Sequence, residues 1–156
     1  MNTRKSRHYR GRTALFKKEL KNGNSSLRLS KVIISDEGEY RCRVVSESWS
    51  DNISVKLEVE VIGTRPVISV ENYDSSSEEF SLLCESKGWF PEPDLQWLDR
   101  KGNNMSAGVT ELQRHAELFS VKRRFTVHYS DISKYYCRVT LREHMMEEEI
   151  TPSTFY

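Results

Sequence analysis

Hydrophobic and polar residues alternate with a period of two along most of this chain, as in half-buried β-strands. The clearest example is residues 53–61 (Ile-Ser-Val-Lys-Leu-Glu-Val-Glu-Val), and similar alternation occurs at 39–44, 80–84 and 135–141. The helical period of 3.6 is missing, apart from a predicted short turn at 111–117. The pattern therefore predicts an all-β protein.

Two segments of the chain end in the same motif. Residues 36–42 are Asp-Glu-Gly-Glu-Tyr-Arg-Cys and residues 131–137 are Asp-Ile-Ser-Lys-Tyr-Tyr-Cys. Cys84 and Trp97 precede the second motif, whereas no cysteine precedes the first. The order of Cys, Trp and Asp-x-x-x-Tyr-x-Cys resembles that of an immunoglobulin sandwich, which needs about 100 residues. We therefore expect two immunoglobulin-like β-sandwiches in tandem, the first of them incomplete.

The immunoglobulin resemblance implies structural roles for several residues. Cys84 and Cys137 would form the disulfide between the sheets, and Trp97 would pack on it. Tyr135 and Tyr40 would each form a tyrosine corner at the start of a strand. The alternative for the two cysteines is a pair of buried free thiols.

Composition and charge exclude some classes of function. The 156 residues carry 24 basic and 23 acidic side chains, a net charge of +1, so no overall field favours nucleic acid or an anionic membrane. The basic stretch at residues 4–12 is interpreted as a solvated edge. We find no signal peptide and no apolar run of the roughly 20 residues that a membrane helix needs. Because disulfides persist in oxidising compartments, the chain is interpreted as a fragment of a longer protein.

Longer stretches resemble the butyrophilin and myelin oligodendrocyte glycoprotein group of the immunoglobulin superfamily. Residues 9–16, 22–29 and 35–42 are similar to the end of its V-set domain. Residues 84–97 (Cys-Glu-Ser-Lys-Gly-Trp-Phe-Pro-Glu-Pro-Asp-Leu-Gln-Trp) are similar to the start of its constant-type domain. The resemblance implies that residues 1–63 are the C-terminal part of a V-set domain and residues 64–156 a constant-type domain.

The resemblance also implies a function without catalysis. Butyrophilins are cell-surface glycoproteins, so we expect a protein on the extracellular side of the plasma membrane that modulates T-cell responses by binding a lymphocyte surface receptor. Its membrane attachment would come from a segment absent from this chain. The alternatives are an antigen-presentation, adhesion or structural immunoglobulin protein, or a non-functional fragment.

Cys42 has no predicted partner, because three cysteines leave one over. The favoured interpretation is that its partner lies upstream and is lost by truncation; the alternatives are an interchain disulfide or a reactive thiol. An apolar face would be left open toward a missing sheet, and such a face favours dimerisation. Its predicted members are Leu27, Leu29, Val32, Tyr40 and Val44.

The resemblance further pairs Arg12 with Asp36 in a partly buried, bidentate contact; the alternative is a pair of solvated charges. It also implies that the V-set sheet carries the receptor-binding surface. On this sheet Glu39, Arg41 and Arg43 would point outward, and Trp49 lies in the next loop. Trp49 is interpreted either as an interface anchor or as a residue tucked into its own domain.

Three Asn-x-Ser sequons occur, at Asn24, Asn52 and Asn104. Each lies in a predicted turn, where a glycan is tolerated. No cofactor or metal is expected, because the four histidines are scattered and no CxxC pair, two-His zinc motif or nucleophile elbow occurs. The chain is predicted not to be an enzyme.

Overall fold

A computed structural model describes residues 7–16, 20, 23 and 25–156. The chain forms two compact units, Met1–Val59 and Glu60–Tyr156. The described residues form β-strands and short 3-10 turns but no α-helix, so the all-β prediction is confirmed. The 3-10 turns span Arg7–Tyr9, Ile34–Asp36, Tyr129–Asp131 and Pro152–Phe155. The predicted domain boundary, between residues 63 and 64, stays a prediction.

The described strands of the first unit form two antiparallel pairs. Its strands are β1 (Thr13–Leu15), β2 (Leu27–Leu29), β3 (Gly38–Val45) and β4 (Ser50–Leu57). Strand β1 pairs only with β2, and β3 only with β4, among the described strands. Strand β4 begins earlier and ends earlier than the predicted strand at 53–61. This unit is the incomplete member of the tandem.

The second unit is a complete two-sheet sandwich. Its strands are β5 (Val67–Asp74), β6 (Glu79–Trp89), β7 (Asp94–Asp99), β8 (Glu111–His115), β9 (Leu118–His128), β10 (Tyr135–Leu141) and β11 (His144–Ile150). One sheet has the order β5-β6-β9-β8 and the other β11-β10-β7. These orders match the ABED and GFC sheets of a constant-type immunoglobulin domain.

The short turn predicted at 111–117 is wrong. Residues 111–115 form strand β8, paired antiparallel with β9 from Glu111 opposite Lys122 to His115 opposite Leu118. The five side chains of β8 are all exposed. A strand at the sheet edge with little apolar burial lacks the alternating pattern, so pairing with β9 decides its conformation.

A continuous apolar core lies between the two sheets of the second unit. Cys84 on β6 and Cys137 on β10 are fully buried and form a disulfide with an S–S distance of 2.01 Å. Trp97 lies opposite Cys137 on the neighbouring strand and donates a hydrogen bond from its indole to the Arg123 carbonyl at 3.0 Å. Burying each large apolar side chain contributes about 1.5–3 kcal/mol. The core holds this unit together.

Gly63 has a specific packing role at the start of the second unit. A Cβ atom added there would lie 2.2 Å from Nε1 of the fully buried Trp89. The Trp89 indole donates a hydrogen bond to Ser86 Oγ at 2.7 Å, and Ser86 donates in turn to the Thr64 carbonyl at 2.6 Å. Only glycine lets the backbone approach the indole this closely.

Candidate functional site

A buried carboxylate organises the corner of the first unit. Arg12 donates two hydrogen bonds to Asp36, from Nη1 to Oδ2 at 2.6 Å and from Nη2 to Oδ1 at 2.8 Å. The Asp36 side chain is fully buried and that of Arg12 mostly so. The geometry is bidentate, the form in which guanidinium and carboxylate groups pair most strongly. The Tyr40 hydroxyl, four residues on from Asp36, donates to the Asp36 carbonyl.

Further groups complete this corner. The Ile33 amide donates to Asp36 Oδ2 at 2.8 Å, and His8 Nε2 lies 2.9 Å from Oδ1. The hydrogen bond from Arg12 is the main cause that holds the pKa of Asp36 well below its ordinary value of 3.8; burial opposes it. A hydrogen bond with Tyr9 raises the pKa of Tyr40 to about 12. Asp36 is therefore ionised at neutral pH and joins two chain segments, residues 8–12 and 33–40.

Strands β3 and β4 carry different chemistry on their two faces. Glu39 lies opposite Lys56, Arg41 opposite Ser54, and Arg43 opposite Asn52. Directly opposite residues in an antiparallel pair project from the same face of the sheet. We call this exposed set the charged face; its members are Glu39, Arg41, Arg43, Asn52, Ser54 and Lys56.

Trp49 lies in the loop between β3 and β4. Its side chain is 56% exposed, so it does not tuck into the first unit. The Trp49 carbonyl accepts a hydrogen bond from the Ser46 amide at 2.8 Å, which closes the loop. A large aromatic side chain is thus exposed to solvent at one end of the β3–β4 hairpin.

The opposite face of the same hairpin is apolar. We call it the apolar face; its members are Tyr40, Cys42, Val44, Ile53 and Val55. Ile53 is 65% exposed and Val55 is 58% exposed. Cys42 is an exposed free thiol opposite Ile53. The expected dimer through Cys42 or this face stays a prediction.

The sequons differ in their surroundings. Asn24 lies outside the described residues. Asn52 lies in strand β4 and not in a turn, so that part of the prediction is wrong; its pairing with Arg43 extends the hairpin ladder. Asn104 follows the turn after β7 and forms an isolated bridge with Leu98. Both side chains are exposed, and glycosylation at either stays a prediction.

The described residues contain no cluster of His, Cys, Asp and Glu that would hold a metal ion. No helix in the described part of the chain has the length and hydropathy of a membrane span. The exposed groups described above are guanidinium, carboxylate, ammonium and indole.

A corner of this type and a disulfide-bridged sandwich define the immunoglobulin superfamily. A family model, the immunoglobulin C domain of butyrophilin subfamily 3 member A2-like proteins, matches residues 62–149. The chain belongs to the butyrophilin family, as the resemblance predicted. The family is non-catalytic, in agreement with the prediction that the chain is not an enzyme.

Similar proteins extend the match into the first unit. Mouse butyrophilin subfamily 1 member A1 is 36% identical over 132 residues, which cover 83% of this chain and 24% of the relative. Human V-set domain-containing T-cell activation inhibitor 1 is 32% identical over 117 residues, which cover 73% of this chain and 40% of the relative. The crystal structure of bovine butyrophilin superposes with a TM-score of 0.82 at 29% identity, covering 94% of this chain and 70% of that one. The chain spans about a quarter of the length of mouse butyrophilin subfamily 1 member A1.

Sequence reasoning missed several structural residues. His8 was not assigned to the Asp36 site, and a lone histidine carries no signal that would have placed it there. Trp89 was not assigned a role, although it is as deeply buried as Trp97. Glu60 accepts hydrogen bonds from Arg142 at 2.8 Å and from His144 at 3.0 Å, contacts across more than 80 residues that no local pattern indicates.

Proposed function

We propose that this chain is part of a cell-surface protein that modulates T-cell responses by binding a lymphocyte surface receptor through the charged face and Trp49. The observation that carries the proposal is the exposure of Trp49 at the end of a two-stranded surface rich in arginine. The name of one relative, a T-cell activation inhibitor, supports the class of response. No catalytic step is involved.

The chemistry of the surface suits protein recognition. Tryptophan buries a large area with few rotatable bonds, and Trp and Arg are enriched among residues that dominate binding energy. Arg41 and Arg43 present planar donors that match carboxylates on a partner. Glu39 and Lys56 at the other end add charges of both signs, which fix the orientation of a partner more than they raise affinity.

The disulfide of the second unit supports a location on the extracellular side of the plasma membrane. A bridge of this kind persists in oxidising compartments and is rare in the cytosol. Attachment to the membrane would be supplied by the remainder of a longer protein. The partner is therefore expected to bind the chain from the extracellular side of the membrane.

The test is binding of the purified, tetramerised chain to T lymphocytes, measured by flow cytometry over a concentration series. Trp49→Ala is expected to weaken the apparent affinity by about 2 kcal/mol, roughly 30-fold. Arg41→Ala with Arg43→Ala should mainly slow association, and the loss should shrink as salt rises.

Tyr129→Ala is the matched control, because Tyr129 is an aromatic residue of similar exposure in the second unit. It should leave binding unchanged. Equal binding by the Trp49→Ala and parent chains would reject the charged face and Trp49 as the receptor site. Absence of binding by the parent chain would reject the function itself.

A further inference from the structure

The Asn52 sequon lies within the charged face. Asn52 is directly opposite Arg43 in the antiparallel register, and Ser54 is directly opposite Arg41. All four side chains are exposed. Directly opposite residues have Cβ atoms about 4.5–5.5 Å apart, and diagonal neighbours lie about 7–8 Å apart. A group attached to the Asn52 amide therefore emerges beside both arginines.

The sequon is chemically complete and open on this face. Residue 53 is isoleucine and not proline, as the acceptor sequence requires. Among the described residues, the Asn52 backbone amide bonds to Asp51 Oδ1 at 2.9 Å, and its side-chain amide makes no hydrogen bond. Ile53 projects from the apolar face, so the middle residue of the sequon does not crowd the amide.

We propose that Asn52 carries an N-linked glycan that shields the Arg43 end of the charged face and so opposes receptor binding there. In the transfer, the Asn52 side-chain nitrogen bonds to C1 of the first N-acetylglucosamine and releases one proton to the solvent. The bond from that carbon to the pyrophosphate of a lipid-linked oligosaccharide donor breaks, and lipid pyrophosphate leaves. The receptor half of the proposal rests on the proposed function, whereas the shielding half does not.

The size of the modification explains the effect. Even the first two sugars are larger than the spacing between Asn52 and either arginine, so they restrict any partner that approaches Arg43 face-on. The sequon at Asn104 offers a contrast within the same chain, because it lies in the second unit after β7. It is therefore the control for glycosylation at a residue that is not part of the charged face.

The first experiment needs no receptor. The full chain is secreted from an animal-cell host behind an added, cleavable signal peptide, as the parent and as Asn52→Gln, Ser54→Ala, Ser54→Thr and Asn104→Gln variants. Intact mass should fall by one glycan in Asn52→Gln and in Ser54→Ala, while Ser54→Thr keeps the sequon and the glycan. Unchanged mass in both loss variants would overturn the proposal.

Shielding is then measured with an arginine reagent, phenylglyoxal, and peptide mass spectrometry. The modification rate of Arg43 should rise several-fold in Asn52→Gln and Ser54→Ala, and should not change in Ser54→Thr or Asn104→Gln. Arg114, an exposed arginine of the second unit, serves as the internal reference. Equal rates at Arg43 with and without the glycan would overturn the shielding.

Binding to T lymphocytes completes the test. Removal of the glycan should increase binding, and Asn104→Gln should not. If Arg43 reacts faster without the glycan but binding does not change, the proposal that the glycan opposes receptor binding is overturned. If no form binds, the proposed function fails, and the mass and Arg43 rates still decide whether Asn52 carries a shielding glycan.

Discussion

The two units of this chain contain the same corner in different surroundings. In the first, the Tyr40 hydroxyl donates to the Asp36 carbonyl; in the second, the Tyr135 hydroxyl donates to the Asp131 carbonyl. Two residues after each tyrosine comes a cysteine. Cys137 is fully buried and bridged, whereas Cys42 is exposed and free.

The difference shows that the motif specifies the turn but not the burial of the strand that follows. A tyrosine corner needs only a hydrogen bond to a carbonyl four residues away, so a short sequence determines it. Burial of the cysteine needs a second sheet, and in the second unit β6 and β9 supply it. Asp36 is also buried and paired with Arg12, whereas Asp131 is exposed, so of the two corners only that of the first unit contains a buried ion pair.

The largest expected effect comes from opening the disulfide. Cys84→Ala with Cys137→Ala should lower the free energy of unfolding of the second unit by about 4 kcal/mol, because the bridge closes a loop across 53 residues. Chemical denaturation, monitored by tryptophan fluorescence, measures this free energy of unfolding. Cys42→Ala is the control and should leave this transition unchanged. A similar midpoint for the double variant and the parent would mean that the core alone holds the sheets together.

Two substitutions to alanine test the contrast between buried side chains in the second unit and exposed side chains in the first. Leu95→Ala removes a fully buried side chain and should destabilise the second unit by about 3 kcal/mol. Ile53→Ala removes a side chain that is 65% exposed and should change stability by no more than about 0.5 kcal/mol. Urea unfolding measures the first effect and hydrogen exchange of β3 and β4 the second. A cost at Ile53 near that at Leu95 would mean that the apolar face is covered in solution.

The last prediction concerns acid sensitivity, through the charge at the corner of the first unit. Because Arg12 holds the pKa of Asp36 below its unfolded value of 3.8, this contribution to stability is complete above about pH 4 and is lost as pH falls through the lowered pKa. Arg12→Gln should raise the pKa of Asp36 and shift the acid-induced loss of stability of the first unit to higher pH. Carbon-detected NMR titration of the Asp36 carboxyl measures its pKa. Arg10→Gln, an exposed neighbour, should leave the titration unchanged, and equal titrations in all three chains would contradict the assignment.

Much of the second unit could be predicted from local patterns. The cysteine, tryptophan and tyrosine spacing indicated the bridge and its packing partner, because an immunoglobulin sandwich imposes that order. Strand β8 could not be predicted, since its side chains are all exposed and carry no alternation. The predicted domain boundary follows residue 63, but only the position of the Trp89 ring explains why this residue is glycine.

In the candidate site, too, some features could be predicted from the sequence and others only from the structure. Alternation along β3 indicated that Glu39, Arg41 and Arg43 share a face, because side chains alternate across a strand. Which residues of β4 join them depends on register, a tertiary property. The sequon at Asn52 was visible in the sequence, but its place beside Arg43 was not.

The sequence by itself determined the all-β class, the tyrosine corners and the family, because these depend on residue spacing within single strands and turns. Tertiary structure decided which cysteine is buried, that His8 joins Arg12 at Asp36, and that Asn52 lies opposite Arg43. Each of these depends on how strands and turns far apart in the chain come together. The physical reason is that burial and cross-strand register arise only when those segments pack against one another.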